Sequence, residues 1–368
     1  MTHDAWLAVL YAARSPENWL DLVAAAPSAD AVLALSDRAL ADAGIDAEAI
    51  ARLRCPDPGT LDGWRGWLEQ PGHALVTLGS PRYPRRLAEI PQRPLALWIR
   101  GARPELLDAP QLAIVGSRSP TRGGCLTAEE LARYLSERGL TITSGLASGI
   151  DGAGHEGALH GPGGTIAVFG CGIDTIFPRG HRDLAERIAA SGLLVSEYPP
   201  GVPPAAHRFP RRNRIIAALS LGTLVVEASR RSGSLITARF ALDFGREVFA
   251  VPGSIHNPLA RGCHWLLRQG AKLVEEGKDV LVELAPQLEL EWPETSEETP
   301  NEAPPVIDPE YANLMNCLGF DPVTITDLAA RSGLTTAELS SMLLLLELEG
   351  LVEALPGGRY CRLPARSR

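Results

Sequence analysis

Ten consecutive residues, His207-Arg208-Phe209-Pro210-Arg211-Arg212-Asn213-Arg214-Ile215-Ile216, set four arginines around one aromatic ring where a helix begins. A guanidinium offers a rigid fork of donors that matches phosphate, and a phenyl ring offers a base a face to stack on. From Gly201 to Gly270 there are ten Arg, no Lys and three acids. One or two of these arginines are expected to pair with acids inside the protein, but three acids cannot neutralise them all.

Glycine turns supply the second kind of chemistry. Gly116-Ser117-Arg118 leaves a strand and soon enters a helix, where free backbone N–H groups and the helix dipole favour an anion. Ser144-Gly145-Leu146-Ala147-Ser148-Gly149-Ile150-Asp151 and Phe169-Gly170-Cys171-Gly172 repeat the idea with small residues. One such turn is explained by steric need alone; three at one sheet edge favour a ligand crevice. Ser232-Gly233-Ser234 opens a helix and reads equally as a further anion seat or a simple cap.

Other chemistries find less support. A dinucleotide fold wants Gly-x-Gly-x-x-Gly at the first turn and an acid after the second strand, and neither is present. His155 and His160 lie five apart without an HExxH pattern, and Asp151, Asp174 and Glu227 are far apart in sequence, so no metal set or nucleophile triad is expected. Glu227 reads as a structural residue at a strand end rather than a lone general acid or base.

The elements that must position these residues alternate. Apolar runs at Leu112–Val115, Thr141–Thr143, Thr165–Phe169, Leu193–Val195, Leu224–Val226 and Val248–Val251 are separated by helical stretches at Cys125–Arg138, Arg182–Ala190, Arg214–Ala218 and Leu235–Phe244. That rhythm predicts an α/β domain, a doubly wound and mostly parallel sheet covered on both faces. Residues 1–71 read as a small helical domain with stretches such as Ala5–Ala13 and Ala29–Ala41. The sheet domain is assigned to 72–285; its first part is proline-rich connective text ending in the extended run Leu95–Ile99. An acidic, proline-rich linker follows at 286–309, and 310–368 reads helix, helix, helix, hairpin, a winged-helix pattern.

Bulk properties bound the class. The chain has 368 residues, 45% hydrophobic and 21% charged, with no apolar run long enough to cross a bilayer and no basic leader, so a cytoplasmic, membrane-free protein is expected. Six scattered cysteines without a CxxC pair suit a reducing compartment. The net charge of -9 argues at first against nucleic acid, but eight acids and no base fall between Ala285 and Glu310, away from the arginine cluster.

Gly116-Ser117-Arg118, Ser144-Gly145-Leu146-Ala147 with Gly149-Ile150-Asp151, Phe209-Pro210-Arg211-Arg212-Asn213-Arg214-Ile215-Ile216 and Ser232-Gly233-Ser234 together resemble the DNA processing protein A (DprA, or Smf) family, over Tyr83 to about Leu284. The resemblance implies an extended Rossmann fold flanked by a helical domain like a sterile alpha motif and a winged helix. It further implies a homodimer, single-stranded DNA bound in a basic pocket, help in loading the recombinase RecA during natural transformation, and neither turnover nor cofactor. Carried over by motif, Arg118 contacts a phosphate, Phe209 holds a nucleotide, and Arg212, Asn213 and Arg214 form the pocket wall. Gly116, Ser117, Gly145, Ser148, Gly149, Gly170, Arg208, Arg211, Ser232, Gly233 and Ser234 complete the expected surface. Two positions depart from the family: Ala206 stands where some members have lysine, and Ser148 where arginine is common.

A nucleotide hydrolase of the phosphoribohydrolase type, on a related fold, is the competing reading. Its Pro-Gly-Gly-x-Gly-Thr run with a following glutamate is missing; Gly161-Pro162-Gly163-Gly164-Thr165 lies before a strand instead. The third helix of the winged pattern, Thr335–Glu349, carries Glu338, Glu347 and Glu349 and no base, which sets it against DNA phosphates. Deleting Glu310–Arg368 is therefore expected to leave single-strand affinity nearly intact in a titration at fixed salt.

Overall fold

The structure, a computed structural model, describes residues 3–13, 17–26, 28–288, 309–320 and 322–363. Most of the acidic linker, 289–308, lies outside the described residues. The chain forms two units: Met1–Ser119 with Ala128–Leu288, and Pro120–Thr127 with the C-terminal part.

Among the described residues of the larger unit, nine strands form one sheet: β1 (His73–Thr77), β2 (Ala96–Arg100), β3 (Gln111–Gly116), β4 (Thr141–Ser144), β5 (Thr165–Phe169), β6 (Leu193–Ser196), β7 (Gly222–Val226), β8 (Glu247–Ala250) and β9 (Lys272–Leu273). Their order is β1-β2-β6-β5-β4-β3-β7-β8-β9. The seven from β6 to β9 are parallel, while β2 runs antiparallel to β6 and β1 antiparallel to β2. The inner parallel strands are buried on both faces, and alternate residues serve different layers. In β5, Ile166 and Val168 join a core with Ile215, Ile216 and Ala238, whereas Ala167 and Phe169 pack with Leu184, Ile188 and Trp98.

The winding reverses between β3 and β7. In an open parallel sheet the crevice beyond the carboxyl ends at such a point is where ligands bind. Here the two strands are in direct register, Gly116 opposite Val226. A Cβ at Gly116 would overlap the Val226 carbonyl oxygen and lie 2.6 Å from Ile150 Cγ1.

Three sequence expectations change in the structure. The stretch Ala29–Ala41 is two helices, Ala29–Ala34 and Asp37–Asp42, because Ser36 turns extended and its hydroxyl accepts from Ala39 N–H. The connective text after residue 72 holds a strand, β1, that pairs with β2 along its whole length. The helix placed at Arg214–Ala218 spans Arg208–Leu219. Pro210 sits in its first turn, where the missing N–H has no intrahelical partner to lose.

In the C-terminal unit, helices Pro309–Leu318, Ile325–Ser332 and Thr336–Leu348 pack on a three-stranded sheet of β10 (Val323–Thr324), β12 (Arg359–Arg362) and β11 (Val352–Leu355), in that order. Leu314, Leu328, Leu339, Leu343 and Val352 make its core. Thr335 and Glu338 form a reciprocal capping box at the start of the third helix.

Gly116→Ala is expected to destabilise by about 2 kcal/mol or more, or to prevent folding, since a backbone carbonyl and a helix must both give way. At Gly233 an added methyl would meet nothing within 4 Å and the backbone is helical, so Gly233→Ala is expected to be neutral or to stabilise by about 0.5 kcal/mol. Urea midpoints of the two variants separate the cases.

Candidate functional site

The carboxyl ends of β3, β4, β5 and β7 are tied together by a short set of hydrogen bonds. Ser117 N–H donates to the Glu227 carbonyl at 2.7 Å, and Ile150 N–H donates to the Ser117 carbonyl at 3.1 Å. Glu227 takes a left-handed φ of 50°, uncommon for a residue with a side chain, and its carboxylate accepts from Asn257 Nδ2 at 3.3 Å. Its main chain and side chain thus pin the β7 end at the crevice, as the sequence reading expected of a structural residue.

Beneath the next two strand ends lies Arg212, with 4% of its surface exposed. Its Nη1 donates to the Gly145 carbonyl at 2.7 Å and also to the Val168 carbonyl. Gly145 is glycine because a Cβ there would overlap this guanidinium. Asp151 completes the loop, its carboxylate accepting from Gly145 N–H at 3.1 Å and Ala147 N–H at 3.3 Å. Leu146 between them has a φ of 56°, and Gly149 one of 82°. The small residues of this turn therefore first serve a buried arginine and a buried carboxylate.

Burial governs the charges. It pulls the Arg212 guanidinium down to about 10; Asp151 opposes that fall, while the positive charge of Arg118 adds to it. Burial raises the Asp151 carboxyl, against the pull of Arg212 and its hydrogen bonds. Two arginines that repel one another across the strand ends leave a positive field for an anion.

Arg118 is exposed, and its guanidinium carbon lies 5.9 Å from the centre of the Phe209 ring. Phe209 packs over Gly170, where a Cβ would lie 2.8 Å from the ring, and its centroid is 5.3 Å from that of Phe177. Phe177 is 46% exposed and was not singled out from the sequence. An aromatic in the loop Asp174–Arg182, between Ile176 and Pro178, was its signal.

The helix Arg208–Leu219 divides the basic stretch. Arg214 is buried and its Nη2 donates to Glu197 at 2.6 Å; its Nε donates to the Gln92 carbonyl at 2.8 Å. Arg211 is half-buried, 4.0 Å from the same Glu197. Arg208 is half-buried, lies 5.1 Å over the Tyr198 ring and donates to the Pro203 carbonyl at 2.5 Å. Asn213 Nδ2 reaches the Gly233 carbonyl at 3.4 Å. Of the four arginines, two are inside, one of them on an acid as expected and the other, Arg212, on carbonyls.

The serines frame the crevice. Ser117 is 9% exposed and its hydroxyl accepts from Ser119 N–H at 3.1 Å. Ser148 is exposed beside Gly149. The hydroxyls of Ser232 and Ser234 are 2.6 Å apart, and the helix Ser234–Asp243 begins at Gly233 without a side-chain cap. The helix Ile150–Ala158 begins at Gly149, also uncapped by a side chain. At the Ile150 helix the first N–H is spent on Ser117, whereas at the Ser234 helix the N–H groups of Ser234, Leu235 and Ile236 are all taken, by Ser232 and Gly233.

The arrangement defines a doubly wound domain whose strand-end crevice holds an exposed arginine, a pair of phenyl rings and a helix N-terminus without a side-chain cap. Comparison with known proteins is specific. The family described as DNA recombination-mediator protein A matches residues 74–285, and the DprA winged helix domain matches 297–358. Protein Smf of Escherichia coli is 46% identical over 302 residues, covering 81% of this chain and 79% of that protein. DNA processing protein DprA of Streptococcus pneumoniae is 48% identical over 201 residues, 55% of this chain and 71% of its own. The solved structure of the Streptococcus pneumoniae protein covers 77% of this chain and 98% of its own, with a TM-score of 0.69 and 37% identity. That of DNA processing protein A from Helicobacter pylori, described for its unique single-stranded DNA binding mode, covers 58% and 96% with a TM-score of 0.53 and 31% identity. The chain belongs to the DNA recombination-mediator protein A family, the DprA/Smf proteins.

Behind the site, His155 is fully buried and pairs through Nδ1 with Thr165 Oγ1 at 2.7 Å. Burial first, then the positive fields of His181 and Arg212, hold it down to about 3. A histidine that titrates near 6.5 when unfolded contributes its full stability above that pH and loses it as pH falls toward 3. Between pH 7 and pH 5 this group alone is expected to cost about 2 kcal/mol. In His155→Gln the drop in unfolding free energy between those pH values should shrink by that amount, as read from urea titrations.

Proposed function

We propose that this protein binds single-stranded DNA at the carboxyl edge of the sheet and acts as a recombination mediator without turning over a substrate. Phosphates lie against Arg118 and the helix N-terminus at Gly149, and a base stacks at the Phe177–Phe209 pair. The observation that carries this is the exposed Arg118 guanidinium 5.9 Å from the Phe209 ring, above a second, buried arginine whose charge it opposes. Cation and ring side by side suit a flexible strand, whose bases are free to leave the stack, better than a duplex.

Arg212 and Arg214 hold the pocket rather than touch the strand, since both are buried and bonded to protein groups. Gly145 and Gly170 admit Arg212 and Phe209; Gly116 admits the β7 backbone. Supported by its family, the protein delivers the bound strand to the recombinase RecA and works as a homodimer through the α/β domain. A hydrolase reading gains nothing from the glycine run before β5: it sits at the opposite end of that strand, where a Cβ at Gly163 would overlap the Leu140 carbonyl.

Arg118→Ala is expected to weaken single-stranded oligonucleotide binding by roughly tenfold, and to lower the slope of log affinity against log salt by about 0.7, the contribution of one phosphate contact. A titration at several salt concentrations, with single- and double-stranded forms of one sequence, measures both. Unchanged affinity and slope would overturn the site.

A further inference from the structure

A second cavity, of about 1140 Å³, opens on the other side of the Arg208–Leu219 helix. Its walls are the helix Pro58–Leu68 with Tyr11 on one side and the segment Glu197–Val202 with Arg208 and Arg211 on the other. Arg208 and Arg211 are three apart and share one helical face, while Phe209, Arg212 and Asn213 serve the sheet edge. One turn of helix therefore presents bases to both places, and a strand leaving the sheet edge past Phe209 meets Arg208 next.

The lining suits a nucleobase. Trp64 and Trp67 form a floor, packed edge-on against Trp98 with centroids 5.5 and 5.7 Å away. Tyr11 and Tyr198 line the cavity and are only half-buried, with Arg208 over the Tyr198 ring. The acids there are engaged: Glu197 by Arg214, and Asp174 by Gly201 N–H at 3.0 Å.

The facing helix adds an independent observation. It carries Gly59, Gly63 and Gly66 among its 11 residues, all lining the cavity. Glycine inside a helix costs stability, yet a Cβ at Gly63 or Gly66 would meet nothing within 4 Å. Internal packing does not ask for these glycines; a ligand lying close along the helix does.

We propose that this cleft is a second nucleotide-binding site, taking the continuation of the same single strand, with a base between Tyr11 and Tyr198 and its phosphate on Arg208 and Arg211. It rests on the reading of the sheet edge as a single-strand site, and it gives the N-terminal helical region a part in binding.

The test uses the full chain and two thymidine oligomers, one of about six nucleotides and one of about twenty. Gly63→Leu fills the cleft with a better helix former and is expected to keep or raise the urea midpoint. It should weaken the long oligomer roughly tenfold, the size of one lost base stack, and leave the short one unchanged. Tyr198→Leu should act in the same direction. Photocrosslinking from halogenated uracil in the long oligomer should mark residues 58–70. Wild-type binding of the long oligomer by Gly63→Leu, or no crosslink to that helix, would overturn the proposal. Arg118→Ala serves as the separate control: if it fails to weaken the short oligomer, the sheet-edge site falls, whereas the crosslink reads the cleft alone.

Discussion

A guanidinium cut off from water, that of Arg212, lies under the strand ends, and the loops above it take their form from that burial. An uncompensated buried cation is costly, so the chain meets it with carbonyl oxygens from two neighbouring strands and the field of a buried carboxylate. The glycine at 145 follows from the room it needs, and the left-handed turn at Leu146 from the path the backbone takes between Gly145 N–H and Ala147 N–H, both held on Asp151. With that turn fixed, Gly149 starts a helix whose first residue locks to Ser117, and Ser117 locks to Glu227. One buried charge thereby orders four strand ends.

The same arrangement reconciles an acidic protein with an anionic partner. Net charge acts at long range and is screened beyond a Debye length of about 8–10 Å. At the crevice what counts is the local balance, and there Arg118 stands exposed while the acids nearest the basic helix are occupied. Glu197 is spent on Arg214 and lies within 4.0 Å of Arg211; Asp151 is spent on backbone N–H groups. The winged-helix unit shows the contrary case. Its third helix exposes Leu344, Leu345 and Leu348 and carries only acids, so its surface is unsuited to phosphates.

The alternation of apolar runs with helical stretches was enough to foresee the parallel strands and their covering helices, because side chains buried on both faces leave continuous β-branched runs that little else produces. The run Thr165–Phe169 is β5 residue for residue. Elements escaped notice where local pattern carried no such signature. β1 is short and only partly buried and stands as an antiparallel edge, and the break at Ser36 depends on a single cap.

By itself the sequence determined the fold class and the position of the basic helix, since composition and periodicity report burial; the family it supplied only as a resemblance of motifs. Which arginines face outward was decided only by the tertiary structure. Arg208, Arg211, Arg212 and Arg214 are chemically alike in the sequence, but helical geometry sends two of them inward, to the carbonyls of Gly145 and Val168 and to Glu197, partners far away in the chain. The exposed partner of Phe209 proved to be Phe177, and the cleft against Trp64 and Tyr11 exists only because distant segments fold onto the same helix.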